Sequence, residues 1–238
     1  MFKLRLGLKS LNLIAIEELV TYSFSNYYPL SNNSLDVIGG INGADSADLT
    51  YQNSVFGTSP LFTGTEYINL GNNHDLGLTD KSYSIWIYPT ILGGEQSIFA
   101  KSLAGATPNR FFLELLDSRI RFLVVDSNNV IRSIQSVSYF NLEINTAYKI
   151  DIVVDRINGD FKLYINGILN NTNPHNLGNQ NITNNYDMEI GGYNDNTGKA
   201  SNILPYYGFV STFKIYPEAL TDVEILDNYN QEKSQLGV

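Results

Sequence analysis

The chain has 238 residues, 43% of them hydrophobic. That is enough for a real core and fits one large β-domain as readily as two small ones. A net charge of −9 with a pI near 4.6 excludes binding of nucleic acid through its phosphates, which needs a basic face. The absence of cysteine excludes disulfide staples and thiolate metal sites, and no stretch reaches the roughly 18 apolar residues of a membrane helix.

Residues 1–21 read as an appended N-terminal segment, with the domain proper over 22–238. Lys3, Arg5 and Lys9 interleave with Leu4, Leu6 and Leu8, and Glu17-Glu18 follow a short apolar run. Alternation of this kind predicts a strand over Phe2–Leu8 rather than a cleaved signal peptide, which needs an uninterrupted apolar core.

From Tyr22 the chain turns aromatic and loop-rich, with a polar loop over Ser31–Asp48. Short strands are expected at Leu49–Tyr51, Ser59–Phe62 and Thr65–Leu70, followed by the aromatic strand Tyr83–Tyr88, which carries the only tryptophan and ends at Pro89. Further strands are expected at Ser97–Ala100, Arg110–Leu116, Arg119–Asp126 and Val130–Ser136.

Tyr148–Leu169 is the most telling stretch. Apolar side chains fall on alternate positions, and Asn158-Gly159 and Asn166-Gly167 supply the positive φ that tight hairpins need, so it reads as a β-meander. An asparagine-rich loop is expected over Asn170–Asn185, then strands at Met188–Gly191 and Tyr207–Tyr216. Only Thr221–Glu232 reads as helix, with Thr221 as N-cap, Glu224 three residues on, and Val223, Leu226 and Tyr229 as its apolar side. Many short strands and one terminal helix predict an all-β, two-sheet antiparallel sandwich.

In order, these pieces resemble the laminin-G-like jelly roll of the concanavalin A-like lectin/glucanase superfamily. The resemblance rests on Tyr28-Pro29-Leu30, on Asp36 with Gly39-Gly40 and Gly43, and on Phe62–Leu70 and Tyr83–Pro89. It continues through Leu163–Gly167, Ile190-Gly191-Gly192, Gly208–Tyr216 and Ala219–Ile225, so it covers roughly residues 22–232. The fold it implies is a concanavalin A-like jelly-roll sandwich with a short C-terminal helix. It implies little about function, because this fold hosts lectins, adhesion modules, hydrolases and virion proteins.

Glucanases of the superfamily carry alternating carboxylates on one strand. The nearest match is Asp187-Met188-Glu189, and the third acid is missing; Glu114 and Asp117 are three apart and fall on opposite faces of a strand. His74 and His175 stand in asparagine-rich loops with no nucleophile motif nearby, and read as solvated loop histidines. Relatives often hold a structural Ca²⁺; Asp36 matches one ligand position, but Ser211 and Thr212 stand where acids are needed, so Asp36 reads as a turn cap. No cofactor is expected. Gly39-Gly40 and Gly191-Gly192 lead into no helix and carry no phosphate-loop signature.

Sugars stack on aromatic faces, and of the 16 tyrosines most alternate with aliphatic residues as packing positions. Tyr193, Asn194, Asp195, Tyr206 and Tyr207 are the expected carbohydrate-facing residues, because these tyrosines flank a polar loop. The functional expectation is a non-catalytic virion decoration or adhesion protein of a bacteriophage. The N-terminal segment would join other virion proteins by strand addition within a larger assembly, and the sandwich would contact host-surface glycans, with no nucleic-acid partner and no membrane insertion. The alternatives are a stand-alone carbohydrate-binding lectin, extracellular or at a cell surface, and, third, a glycoside hydrolase.

Overall fold

The computed structural model describes residues 23–103, 108–193 and 204–238. Residues 1–22, on which the expected N-terminal arm falls, lie outside the described residues.

The strands in chain order are β1 (Asn26–Tyr28), β2 (Ala44–Asp45), β3 (Thr50–Ser54), β4 (Gly57–Thr63), β5 (Ile68–Asn69), β6 (Lys81–Pro89), β7 (Glu95–Lys101) and β8 (Arg110–Leu116). They continue with β9 (Arg119–Val125), β10 (Ile131–Gln135), β11 (Tyr148–Asp155), β12 (Asp160–Ile165), β13 (Ile168–Pro174), β14 (Met188–Ile190) and β15 (Tyr207–Tyr216), and one helix follows, α1 (Asp222–Leu236). Among the described residues, eight strands form a first sheet in the order β13-β12-β11-β6-β15-β4-β3, with β1 also on β15. Seven form a second in the order β10-β9-β8-β7-β14-β5-β2. All pairings are antiparallel. This is the two-sheet jelly-roll sandwich with a C-terminal helix that the sequence implies.

The core lies between the sheets. Period-2 alternation turns Tyr83, Ile85 and Ile87 of β6, Ile150, Ile152 and Val154 of β11, and Phe111, Leu113 and Leu115 of β8 inward, where all are buried in one cluster. The opposite residues of β6 and β11, among them Trp86, Lys149 and Asp151, point to the outer face of the first sheet. That face is covered by α1.

The helix begins as its sequence predicts. The Thr221 hydroxyl accepts from the Glu224 amide and Glu224 answers to the Thr221 amide, a reciprocal cap. Its buried side matches the expected one at Tyr229 and departs from it at Val223 and Leu226. Val223 is 68% exposed, and Ile225, Asn228 and Glu232 face the sheet instead. The reason is electrostatic: Glu232 sits between two sheet lysines, Lys214 at 2.7 Å and Lys149 at 3.2 Å, and accepts from Trp86 Nε1 at 2.6 Å. Tyr229 stacks on the Trp86 ring at 5.7 Å.

Three further expectations are corrected. Both histidines are buried rather than solvated. His74 Nε2 contacts the Tyr28 hydroxyl and the Leu70 carbonyl, each at 3.1 Å, and burial pushes its pKa down to about 4, so it is neutral. His175 accepts from Leu177 N through Nδ1. Of the strand expected over Thr65–Leu70, only Ile68–Asn69 enters a ladder, because Glu66 is used locally to cap the amides of Thr63, Gly64 and Thr65. The asparagine run at 170 belongs to β13, not to a loop. Asn171 and Asn173 donate from Nδ2 to the carbonyls of Gln135 and Ser133, stitching the edge of the first sheet to the edge of the second.

Candidate functional site

A cleft lies where the β12–β13 hairpin meets the loop between β10 and β11. It has a volume of about 270 Å³ and is lined by Phe140, Ile165, Asn166, Ile168, Leu169 and Asn170.

Each wall has a local cause. Asn166 and Gly167 both hold positive φ, 53° and 77°, which makes the two-residue hairpin turn and places Ile165 and Ile168 on either side of it. Asn166 is fastened to the neighbouring strand: its amide donates to the Lys149 carbonyl, and its Oδ1 accepts from the Lys149 amide, both at 2.9 Å. The ladder then slips. Leu163 pairs with Asn171 and Tyr164 with Leu169, so Asn170 is the extra residue of a β-bulge. The bulge re-aims Asn170 towards the β10–β11 loop, where its Oδ1 accepts from Val137 N at 2.9 Å. Phe140 is set by its own amide bonding to the Val137 carbonyl and by edge contact with the Tyr148 ring at 6.2 Å.

Chemically the cleft is an apolar slot with two carboxamides. In both, the oxygen accepts one backbone N–H and keeps a second lone pair, so each carboxamide retains donor and acceptor capacity for a ligand. No charged side chain lines the slot. The mouth is apolar and open: Ile168, in the lining, is 69% exposed, and Tyr139, next to Phe140 in the chain, 86%. A volume near the lower end of small-molecule pockets, roughly 300–1,000 Å³, suits a single small ring or the end of a chain.

The structure does not gather the tyrosines expected from sequence. Tyr206 points into the core, fully buried, with its ring edge-on to Phe62 at 6.1 Å. Tyr207, one residue on, faces the other way; its ring lies over Gly64 at the outer side of the first sheet. Tyr193 packs edge-on to Phe112 at 5.3 Å, on the outer face of the second sheet, where the Arg110 guanidinium also lies over the Phe112 ring at 5.4 Å. Asn194 and Asp195 lie outside the described residues. In-out alternation separates neighbours in sequence, so Tyr193 and Tyr207 serve opposite faces.

The calcium position is already filled by protein donors. Asp36 Oδ1 accepts from the amides of Tyr27, Ile38 and Gly39, and Oδ2 from Ile41 N and Asn26 Nδ2. Burial raises the Asp36 pKa, but these donors outweigh it and hold the carboxylate below its usual range. With five donors on two oxygens, no lone pair is left for a cation, and no trio of His, Asp or Glu among the described residues is placed to hold one.

A model of the family Laminin_G_3, described as Concanavalin A-like lectin/glucanases superfamily, matches residues 62–226. The chain belongs to this family. Comparison with curated proteins gives no match. Among solved structures, domain 4 of AbnA, an extracellular arabinanase from Geobacillus stearothermophilus, in complex with arabinotriose, aligns at TM-score 0.66 and 19% identity over 86% of this chain and 97% of that one. The binding domain of Paraclostridial Mosquitocidal Protein 1 aligns at 0.71 and 18% over 87% of this chain and 51% of that one. The botulinum neurotoxin serotype D ligand-binding domain, in complex with N-acetylneuraminic acid, aligns at 0.64 and 18% over 88% and 51%. This chain thus spans nearly all of the arabinanase domain and about half of each toxin domain. Likeness at this identity is likeness of fold.

The superfamily also contains glucanases, which makes the carboxylates of this Laminin_G_3 chain worth placing. Asp187 Oδ2 accepts from Asn69 Nδ2 at 2.9 Å, while Glu189, next on the same face of β14, is buried. Glu114 is paired to Arg121 at 2.5 Å, and Arg121 reaches Glu95 at 3.1 Å. Burial nevertheless pushes the Glu114 pKa up. Asp117 caps the Gly94 amide in the turn region before β7. Each of Asp187, Glu114 and Asp117 is therefore committed to a structural partner.

Sequence reasoning missed the cleft. Its only sequence trace is the Asn-Gly turn; Asn170 enters through a bulge and Phe140 arrives from 30 residues upstream.

Proposed function

We propose that this chain is a non-catalytic carbohydrate-contact module, and that the cleft between the β12–β13 hairpin and Phe140 is where the sugar sits. The observation that carries this reading is the bulge at Asn170. It turns a strand residue out of register so that a second carboxamide joins Asn166 beside an aromatic ring and an aliphatic floor, which is the mix of apolar wall and few fixed polar groups that small-molecule sites use. Family membership supports it, as do the arabinotriose and N-acetylneuraminic acid held by two proteins of similar fold. Half of the toxin domain has no counterpart here, so its ligand is not carried across.

The non-catalytic part rests on the carboxylates already described, of which Glu114 and Asp187 are tied to Arg121 and Asn69. A glycan array probed with the full chain tests the reading. Selective binding that is lost in Asn170→Ala supports it; silence across the array, or hydrolysis of a bound glycan, overturns it. A surface-display role, on a virion or at a cell surface, is supported by the alternating basic segment at residues 2–9 and by nothing else in the chain. Co-purification with particles would test that role separately.

A further inference from the structure

We infer that the outer face of the first sheet, past the point where α1 meets it, is a second carbohydrate surface, one that takes a neutral polysaccharide chain. It lies towards the β3 edge of the sheet, whereas the cleft lies at the β13 edge, so the two sites stand or fall separately.

Strand register builds the surface. Tyr88 of β6 pairs with Phe209 of β15, Phe209 with Leu61 of β4, and Leu61 with Thr50 of β3, so these four side chains form one row across four strands. Trp86, two residues before Tyr88, points outward, and period-2 alternation puts the whole row on that side. At the usual strand spacing the row is about 14 Å long, more than one sugar ring spans. Tyr207 stands two residues from Phe209 on the same side, paired with Thr63. The helix meets this face at Trp86 through Tyr229 and Glu232. Beyond Trp86, the side chains of Tyr88, Phe209, Leu61 and Tyr207 are half-buried, and Thr50 and Thr63 are exposed.

The rings are set before any ligand arrives. Tyr88 is held edge-on by Phe56 at 6.4 Å and by Phe209 at 6.2 Å, and Phe56 is itself edge-on to Trp86 at 5.9 Å. The Tyr207 ring lies on Gly64, whose φ is +124° and where a Cβ would stand 2.9 Å from the Tyr207 hydroxyl. Aromatic side chains fixed in this way lose little conformational entropy on binding.

The chemistry of the face selects its occupant. β3 turns Thr50, Gln52 and Ser54 outward and β4 turns Ser59, Leu61 and Thr63, so neither strand places a charge there, in a chain with 15 basic and 24 acidic residues. An acidic polymer would meet no cation on these strands and would be repelled by the net −9. A second copy of the chain would bring −9 against −9, and Leu61 is the row's one aliphatic side chain, whereas stable dimer interfaces are apolar at their centre. A neutral polysaccharide offers C–H faces to the rings of Tyr88, Phe209 and Tyr207. Its hydroxyls, each donor and acceptor, suit the threonines and Gln52 at the margin.

Retention of the full chain on immobilised cellulose, mannan and linear arabinan, with polygalacturonate as the acidic control, tests the surface. The expected result is retention on at least one neutral polymer, with affinity rising at least about tenfold from its disaccharide to its hexasaccharide, because only the longer chain covers the row. Phe209→Ala and Tyr207→Ala should each weaken the hexasaccharide by about tenfold, and Phe209→Tyr should retain it. The chain-length dependence of the wild type stands without the variants. No retention on any neutral polymer, equal retention on polygalacturonate, or a dimer in sedimentation that Phe209→Ala breaks, would overturn the inference. Binding lost in Phe140→Ala and kept in Phe209→Ala would put the polymer in the cleft, overturning this surface and leaving the carbohydrate reading of the cleft standing.

Discussion

Glu232 is the hinge-pin of the helix-to-sheet contact, and its replacement by Gln gives the sharpest prediction about stability. The carboxylate is nearly inaccessible, accepts hydrogen bonds from Trp86 Nε1 and Lys214 Nζ at 2.6 and 2.7 Å, and is ion-paired with Lys149 Nζ at 3.2 Å. Burial alone would raise its pKa, yet the two ammoniums hold it below the usual range, so it is charged at neutral pH. Gln keeps the volume and the Trp86 bond but removes the charge. Among the described residues, Lys149 then keeps Asp151 at 3.7 Å, and Lys214 keeps the rings of Phe24 and Tyr27 at 4.7 and 5.0 Å and the weaker pull of Asp151. Stranding a buried ion costs about 3–5 kcal/mol. For a chain of this length each kcal/mol moves Tm by roughly 2–4 °C, so Glu232→Gln should melt between about 6 and 20 °C lower. Thermal unfolding followed by circular dichroism, with urea titration for the free energy, measures it. The double variant Lys214→Met with Glu232→Gln should lose less than the two singles together, because they share one interaction. A single-variant loss below about 0.5 kcal/mol, the range of an ordinary surface change, would refute the account of how the helix is seated.

Asp151, in the same network, behaves in the opposite sense: burial pushes its pKa up to about 6, against the pull of Lys149. A folded pKa above the unfolded value means this group's contribution is fully present below about pH 4 and is lost as pH rises through 6. Asp151→Asn should therefore stabilise the protein at pH 7, by up to about 3 kcal/mol, and do little at pH 4; equal effects at both pH values would contradict this. Gly208→Ala should be among the worst tolerated small changes, since φ is +142° and a Cβ would stand 2.2 Å from the Tyr88 carbonyl oxygen. A cost of about 2–6 kcal/mol is expected in urea unfolding, and a variant as stable as the parent would show that the two strands are not this close. Asp36→Ala should cost at least about 2 kcal/mol by orphaning five donors, and added Ca²⁺ should not raise the Tm of the parent; a calcium-dependent rise would reopen the metal reading.

Much of the sandwich was legible because its strands alternate cleanly. Tyr207–Tyr216 spans the residues that alternation marks, as does Arg110–Leu116, and the meander strands fall where the Asn-Gly signals put them. The two Asn-Gly pairs differ in detail. At Asn166-Gly167 both residues hold positive φ in a two-residue turn, whereas before Asp160 the loop is longer and only Gly159 does, because the Asp155 carboxylate caps Asn158 N and shapes that turn. The helix was legible from its cap, but its buried face was not: Glu232 looks like a solvent residue until Lys149 and Lys214 are placed beneath it. The candidate site escaped for a related reason. Tyr206 and Tyr207 are adjacent in sequence and separated by the sheet. Asn170, Val137 and Phe140 are distant in sequence, and a bulge that no period-2 pattern shows brings them together.

The central claim is that a sugar rests on Phe140 in the cleft. Calorimetric titration of the best array ligand into the wild type and into Phe140→Ala tests it most directly. The account predicts a loss of about tenfold or more in affinity, the worth of about 1.5 kcal/mol of apolar contact, measured well below the Tm of the variant, which is lowered because Phe140 also packs against the core. Equal affinity in the two proteins, with the ligand still bound, would place the sugar elsewhere on the sandwich and contradict the account.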